Sequence, residues 1–278
     1  MKRSLISVLS VVMLLASAFP GDAAIVELLR YQLGEPGSFV VNSPQDSVGS
    51  AHILNGFGFT PGGILDTAAP GSTSATRFTG PGSGAYGASS SGLPVDNFAI
   101  ELWARSTNAT QTFNDFFSLN GGTAGSVVFS HGGYINNSSQ GIWAASISGI
   151  DYIGASGGAG QTAVDNVWTN LAIIRSNGIS TFYIDGVAQA GTTNGTPSVG
   201  TDATGVHIGI TPGGTSNFFG DLDEIRMFSF DPLVDDPVAA LSFNNPVPEP
   251  RAFGMMALGV LICGLLLHRR KRSRTVGR

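Results

Sequence analysis

The sequence predicts an all-β protein, a two-sheet antiparallel sandwich flanked by an N-terminal signal peptide and one C-terminal transmembrane helix. Three observations support this prediction. Short apolar runs separated by Gly, Ser, Thr and Asn fill the middle of the 278-residue chain, and no helical period is sustained there. A charged N-terminus precedes one apolar stretch. A second apolar stretch precedes a basic C-terminus.

Residues 1–24 are typical of a secretory signal peptide. Lys2 and Arg3 precede an apolar core from Leu5 to Ala18, and small residues follow. Ala16-Ser17-Ala18 indicates cleavage after Ala18, whereas Gly21-Asp22-Ala23 indicates cleavage after Ala23, and the sequence leaves both open. We therefore expect the remainder of the chain to be exported across the inner membrane.

One domain, residues 25–243, follows the signal peptide. Its strand-like runs are short and bounded by turn residues, as in a β sandwich. In the run from Phe98 to Trp103, apolar residues alternate with Glu101, which indicates an antiparallel strand with one buried face. The predicted strands are 75–79, 98–103, 116–119, 126–129, 141–147, 168–174, 180–184, 206–210 and 218–230.

The sharpest local prediction is a three-stranded meander over residues 168–175, 179–184 and 187–190. Asn177-Gly178 separates the first two strands, and Asp185-Gly186 separates the second and third. These dipeptides tolerate the positive φ angles that tight hairpin turns require.

Four segments of this domain resemble the motifs of laminin-G-like, concanavalin-A-like jelly-roll domains. The opening segment is Leu29–Glu35, and the last is the closing strand Phe219–Phe228, with the sequence FGDLDEIRMF. Between them lie Phe98–Trp103 and the stretch from Trp168 to Gly191. The resemblance covers about 215 residues and implies a jelly-roll sandwich with a binding function.

The charge distribution excludes nucleic acid as a partner. Residues 24–246 hold 17 acidic residues, five arginines and no lysine, for a formal charge of −12. Such a body repels phosphate backbones. The only cysteine, Cys263, lies in the C-terminal apolar run, so the domain has no disulfide.

Residues 244–278 resemble a PEP-CTERM sorting tail of Gram-negative bacterial surface proteins. The tail comprises the motif Val247-Pro248-Glu249-Pro250, a transmembrane segment at 252–268 and a basic segment at 269–278. The apolar run Ala252–Leu267 would span about 24 Å as a helix, slightly less than a hydrocarbon core of about 30 Å. The cations predicted to hold the tail in the cytoplasm are Arg269, Arg270, Lys271 and Arg272.

This resemblance implies an exosortase-type membrane enzyme as a partner, which would cut near the motif and release the protein to the cell surface or the extracellular polysaccharide. An ordinary linker before a membrane anchor is the alternative interpretation of the same residues.

Neither catalytic residues nor a metal site is predicted. Hydrolases of this fold carry three carboxylates at alternating positions of one strand, whereas here Asp221 and Asp223 are followed by Ile225. Regular alternation would place Glu224 on the opposite face, and we expect Asp223, Glu224 and Arg226 to form turns and ion pairs at the sandwich edge. We therefore expect a protein that is not an enzyme.

Calcium is the one metal ion that the resemblance leaves open, and no cofactor is predicted. Laminin-G-like domains often hold this ion at the rim of the sandwich through oxygen ligands. The candidates by charge are Asp151, Asp165 and the pair Asp221 and Asp223, but their spacing forms no loop signature.

Binding of a glycan or a protein is the function we expect, because exposed aromatic rings on a jelly-roll sheet stack on sugars. Tyr86, Tyr134 and Tyr152 lie near polar, glycine-rich segments and are the candidate ligand-binding residues. Trp143 lies within an apolar run, so we expect it in the core. The alternative is a structural envelope or matrix protein that has no discrete ligand site.

Overall fold

The computed structural model of the protein describes the greater part of the predicted domain. The described residues are 25–40, 43–48, 64–65, 68–80, 84–88, 93–108, 114–119, 126–131, 141–147, 151–153, 162–189, 193–194, 205–210 and 218–244. Their regular elements are all β-strands. A helix suited to crossing a membrane is not found among them. The predicted signal peptide and, apart from Asn244, the predicted sorting tail lie outside the described residues.

The strands are numbered in chain order. They are β1 (Val26–Tyr31), β2 (Phe39–Val40), β3 (Ser43–Pro44), β4 (Ile64–Leu65), β5 (Ala75–Thr79), β6 (Ala85–Ala88), β7 (Phe98–Ser106), β8 (Asn114–Leu119), β9 (Val127–His131), β10 (Trp143–Ile147), β11 (Asp151–Ile153), β12 (Trp168–Ser176), β13 (Ile179–Ile184), β14 (Val187–Ala188), β15 (Thr193–Asn194), β16 (Val206–Ile208) and β17 (Phe219–Ser229).

Two antiparallel sheets form the body, which confirms the predicted sandwich. The larger sheet has nine strands in the order β14-β13-β12-β7-β17-β5-β4, with β1 added beside β17 and β15 beside β13. The smaller sheet has six strands in the order β11-β10-β9-β8-β16-β6. Strands β2 and β3 form a separate hairpin.

The core lies between the two sheets and is rich in aromatic side chains. The ring of Phe116 lies 4.9 Å from Phe218 and 5.7 Å from Trp143, measured between centroids. Trp143 is 1% exposed, so the expectation that it lies in the core is confirmed. Alternate residues of β7 and β12 complete this layer, including Phe98, Ile100, Leu102, Leu171 and Ile173.

The two predicted hairpin turns of the meander are confirmed. Asn177 and Gly178 have φ angles of 50° and 78°, and Asp185 and Gly186 have 49° and 74°. Both pairs therefore adopt the left-handed conformation that tight hairpins need. The Asp96 carboxylate accepts a hydrogen bond from the Gly178 N–H, which fixes the first turn to the segment before β7.

A β-bulge interrupts the central strand β17 and changes which way its acidic residues face. The register against β7 shifts between Asp223 and Arg226, and Glu224 has a φ of 47°. One extra residue in the strand cancels the alternation that the sequence predicts. Glu224 therefore pairs with Arg30 on the outer face of the sheet, and the expectation that it faces the opposite side from Asp223 is wrong.

Candidate functional site

Four charged and aromatic residues form a continuous row across the outer face of the larger sheet. Arg77 on β5 pairs with Asp221 on β17, Asp221 pairs with Arg105 on β7, and Arg105 pairs with Trp168 on β12. Residues that lie directly opposite each other in a sheet share a face. We call these four residues the arginine row.

A single buried carboxylate holds both guanidinium groups of the arginine row. Asp221 is fully buried, and its carboxylate lies 2.8 Å from Arg77 Nε and 2.6 Å from Arg105 Nη2. The hydrogen bond to Asp221 raises the pKa of Arg77, so this cation stays charged. The Arg105 guanidinium also lies over the Trp168 ring, 5.0 Å from its centroid.

The arginine row opens to solvent at its Arg77 end. The Arg77 side chain is 35% exposed, whereas that of Arg105 is 11% exposed. Phe219 lies two residues before Asp221 on the same face and is 39% exposed. This part of the outer face therefore offers guanidinium donors beside an exposed aromatic ring.

The next part of the outer face is covered by residues 231–244, which we call the strap. Ser242 occupies a polar pocket on β7, where its N–H lies 2.8 Å and its hydroxyl 2.8 Å from Glu101 Oε2. The Trp103 indole N–H and the Asn170 amide donate to the same hydroxyl at 3.0 and 3.2 Å. The backbone N–H and every hydrogen-bonding position of the Ser242 hydroxyl are used inside the protein, so this pocket is filled by the chain itself.

Apolar and charged contacts hold the strap on either side of Ser242. Leu241 is fully buried in a second apolar cluster with Ala99, Ala172, Ile174 and Phe228. Arg226 forms an ion pair with Glu101 and donates to the Ala240 carbonyl. The strap is therefore an integral layer of the sandwich.

Two adjacent carboxyl groups of the bulge lie in a poorly solvated environment. Burial raises the pKa of Asp223 well above its ordinary value, and the neighbouring Glu224 carboxylate adds to this effect. Burial also raises the pKa of Glu224, although Arg30 opposes it through an ion pair of 2.6 Å. The expected ion pairing is confirmed for Glu224 and Arg226, whereas Asp223 accepts hydrogen bonds from the Ala69 and Glu224 N–H groups. These contacts occur in the centre of the larger sheet and not at the sandwich edge.

A small cleft lies beside these carboxyl groups. Its volume is about 10 Å³, which holds about one water molecule. Such a cleft is too small for a sugar ring. Its lining residues are Pro70, Gly71, Trp103, Glu224, Arg226 and Ser242.

Cross-strand pairing in the smaller sheet relates two of the predicted tyrosine positions. From β6 to β11 the paired residues are Tyr86, His207, Ser118, Val128, Ser146 and Tyr152. Positions 86 and 152 therefore belong to opposite edge strands, five strand spacings or about 24 Å apart. Ser118, Ser146 and His207 between them are at most 7% exposed. Tyr134 lies outside the described residues.

The acidic residues considered for calcium do not converge. Asp221 is committed to two arginines, Asp165 is exposed in the segment before β12, and Asp151 begins β11. Among the described residues, no group of three or more His, Cys, Asp or Glu side chains is arranged to hold a metal ion. The predicted sorting motif Val247–Pro250 and the cations from Arg269 to Arg272 lie outside the described residues.

The sequence analysis missed the arginine row because its members come from four distant segments. A signal was available: the domain has only five arginines, and Arg77 and Arg105 are two of the four that lie within a predicted strand or shortly after one. A charged residue at such a position needs a partner across the sheet. Only the pairing of β5, β17, β7 and β12 shows that Asp221 is this partner.

Comparison with known proteins agrees with the architecture. The laminin G model described as concanavalin A-like lectin/glucanases superfamily matches residues 80–238. No curated protein sequence matches the chain.

A solved structure of similar fold is domain 4 of an extracellular arabinanase from Geobacillus stearothermophilus, in complex with arabinotriose. It has 19% identity and a TM-score of 0.52, and the match covers 74% of this chain and 93% of that domain.

Two larger proteins also contain a similar fold. A Trypanosoma rangeli sialidase in complex with sialic acid has 10% identity and a TM-score of 0.47, over 78% of this chain and 32% of the sialidase. The ligand-binding domain of botulinum neurotoxin serotype D, in complex with N-acetylneuraminic acid, has 14% identity and a TM-score of 0.46, over 80% of this chain and 51% of that chain. The chain thus spans about a third of the sialidase and half of the toxin domain.

The family match and the arabinanase domain correct the expectation that the protein is not an enzyme. The description of the superfamily includes glucanases, and the solved domain of similar fold is part of an extracellular arabinanase. That expectation was based on the lack of a third carboxylate after Asp221 and Asp223. This criterion tests only one arrangement of catalytic residues. Because the fold occurs within enzymes, it gives no reason to exclude catalysis. The match over residues 80–238 covers more than half of the chain, which therefore belongs to the concanavalin A-like lectin/glucanases superfamily.

Proposed function

We propose that the protein is an exported glycan-binding protein of the cell surface or extracellular matrix, and that its ligand face includes the arginine row. The membership of the superfamily supports a role in carbohydrate recognition. The single observation that carries the proposal is the exposed end of this row, where Arg77 lies beside Phe219 on one sheet face.

This surface has the chemistry that sugars require. An aromatic ring offers a flat apolar face to the C–H groups of a pyranose, and a guanidinium group offers fixed hydrogen-bond donors to its oxygens. The neighbouring part of the outer face is already filled by the strap, with Ser242 bound to Glu101. The arginine row is thus the more accessible part of this face.

A glycan array with the full chain in detergent tests the proposal. We expect binding to at least one glycan class, and we expect Phe219→Ala to weaken it because the exposed ring is lost. Leu233→Ala is the matched control, since Leu233 is 89% exposed and follows the far end of β17. The same samples are assayed for released reducing ends, which detects hydrolysis. Absence of binding to every glycan would favour a structural envelope protein instead.

The sorting tail supports the proposed location. Pro248 and Pro250 favour an extended segment that a membrane protease could grip, and the apolar run and basic end favour insertion with the C-terminus in the cytoplasm. An exosortase-type enzyme is the proposed partner. Mass spectrometry of the surface protein tests this step. Peptides that run from Pro250 into the apolar segment would show that no cleavage occurs there.

A further inference from the structure

We propose that, in the membrane-anchored precursor, the sandwich rests on the bilayer through the β14 edge of its larger sheet. The contact is made by three apolar side chains at this edge, which we call the exit edge: Val187, Ala188 and Phe243. This inference rests on the membrane insertion of the tail proposed above, and it adds the part of the domain that meets the lipid.

The chain leaves the described domain beside the turn between β13 and β14. Asn244, the last described residue, donates its backbone N–H to the Leu241 carbonyl and its side-chain amide to the Val238 carbonyl, both at 2.9 Å. A Cβ atom on Gly186, in the turn itself, would lie 2.9 Å from Phe243 Cδ1 and 3.5 Å from Asn244 Nδ2. The strap is therefore fixed to the domain up to Asn244, next to β14, the outermost strand of the larger sheet.

The segment between this point and the predicted transmembrane segment is short. Seven residues, 245–251, separate Asn244 from Ala252, and eight Cα–Cα steps span at most about 28 Å when the chain is fully extended. The larger sheet has a similar width, because β14 and β1 are five strand spacings or about 24 Å apart. Insertion of the tail therefore keeps the β14 edge near the lipid, whereas the β1 edge can lie much farther away.

The exit edge has the side chains that such a contact needs. Val187 is 61% exposed and Phe243 is 42% exposed, and Ala188 is exposed as well. Because successive residues of a strand point to opposite faces, Val187 and Ala188 make both sides of the edge apolar. Exposed apolar side chains beside a membrane anchor favour insertion at the level of the lipid headgroups. The anchor makes this contact intramolecular, so a small apolar area is sufficient.

The charge of the strap favours the same orientation. Its first part contains three acidic residues, Asp231, Asp235 and Asp236. This part adjoins the start of β7, where the Phe230 N–H donates to the Asn97 carbonyl. The Phe243 ring instead lies 6.3 Å from Trp103, which is six residues or about 20 Å farther along. Anionic lipids repel the acidic part and therefore favour contact through the exit edge.

The same contact would present the proposed cleavage motif to a membrane enzyme. Val247–Pro250 lies between Asn244 and the predicted transmembrane segment. When the exit edge lies on the lipid, both ends of this short segment are held at the membrane surface. A protease embedded in the bilayer has to meet its substrate there.

Quenching of a fluorescent label by lipid tests the inference on the full chain. The protein is reconstituted into vesicles of phosphatidylethanolamine and phosphatidylglycerol, with a spin label on some of the headgroups. Cys263→Ala removes the native thiol, and Val187→Cys then carries the label at the exit edge. Val48→Cys is the matched control, because Val48 is 41% exposed and follows Ser47, whose N–H donates to the Arg30 carbonyl of β1.

We expect the spin-labelled lipid to cause loss of fluorescence at position 187 and little change at position 48. Phe243→Asp should restore the fluorescence at position 187, because a carboxylate at the exit edge is repelled by the anionic lipid. Leu233→Asp, a change at the acidic part of the strap, should leave the loss unchanged, since Leu233 is 89% exposed and lies outside the proposed contact.

The outcomes separate this inference from the proposed membrane anchor. Equal loss at positions 187 and 48, loss at 48 alone or no loss at either position would overturn the assignment of the exit edge and leave the anchor intact. Failure of the full chain to float with the vesicles would overturn both. If Val187→Cys lowers the melting temperature, Ala188→Cys carries the label at the neighbouring exposed position and is judged by the same criteria.

Discussion

Ser242 donates both its backbone N–H and its hydroxyl to the Glu101 carboxylate, although the two residues are 141 positions apart in the sequence. Glu101 lies in the middle of the central strand β7, and both residues are buried. Glu101 also forms an ion pair with Arg226. This carboxylate therefore joins two central strands of the larger sheet to the strap.

Replacing Ser242 with alanine should lower the free energy of unfolding by about 1–3 kcal/mol. The Trp103 indole N–H and the Asn170 amide would lose their common acceptor inside the protein, and buried donors without a partner are costly. Chemical denaturation measures this change. Asn244→Ala is the control, since Asn244 lies in the same strap but is exposed, and its change should stay within about 0.5 kcal/mol. Equal effects of the two substitutions would contradict the role of the Ser242 pocket.

Two glycines of one loop should respond differently to alanine. Gly34 and Gly37 both have positive φ angles, 117° and 88°. A Cβ atom on Gly34 would lie 2.8 Å from the Ala75 backbone nitrogen, whereas one on Gly37 would meet nothing within 4 Å. We expect Gly37→Ala to cost only the backbone strain, about 1 kcal/mol, and Gly34→Ala to cost distinctly more. Thermal melts of both variants measure the difference. Similar midpoint temperatures would show that the β5 backbone moves away from residue 34 at little cost in stability.

His131 should make the protein less stable in acid. Burial lowers the pKa of His131 from 6.5 to about 4, while Asp165 opposes the shift. Among the described residues, neither ring nitrogen has a hydrogen-bond partner, and the ring packs on Trp143 with 4.7 Å between centroids. The unfolded chain therefore binds a proton below about pH 6.5, and the folded protein does so only near pH 4. The contribution of His131 to the free energy of unfolding is complete above pH 6.5. This contribution decreases by about 3 kcal/mol as the pH falls to 4.

The comparison with His131→Phe isolates this effect. Burial raises the pKa of Asp115 to about 7. The folded protein therefore keeps this proton to a higher pH than the unfolded chain does, so the Asp115 contribution to the free energy of unfolding decreases as the pH rises to 7, which is opposite to the effect of His131. The phenylalanine variant keeps the Asp115 effect but cannot take up the histidine proton. Unfolding free energies of the two proteins at pH 4 to 7 should therefore diverge by about 3 kcal/mol towards pH 7 in favour of the unaltered protein. Parallel curves would contradict a buried neutral His131.

Local sequence patterns predict most strands of the sandwich, because strands and tight turns depend on residues that are close together in the chain. The strand 75–79 was predicted with the bounds that the structure shows, and Asn177-Gly178 marked the hairpin turn between β12 and β13. The bulge at Glu224 was missed, since a strand with one extra residue has the same composition as a regular one. The strap was missed because its anchor, Glu101, lies on a strand far away in the sequence.

The candidate site was less predictable than the fold. Aromatic composition near glycine-rich loops suggested Tyr86 and Tyr152, which the strand order places on opposite edges of the smaller sheet. The arginine row depends on pairing among four strands that lie far apart in the chain. No local pattern around Arg77 or Asp221 reports such long-range pairing.

Hydrogen exchange of the full chain, with and without a glycan that binds, tests the central claim most directly. We predict slower exchange of backbone amides in residues 77–79, 105–107, 167–169 and 219–221, which surround the arginine row. The smaller sheet, including positions 86 and 152, should exchange as before. Protection confined to the smaller sheet would place the ligand on the other face of the sandwich and contradict the account.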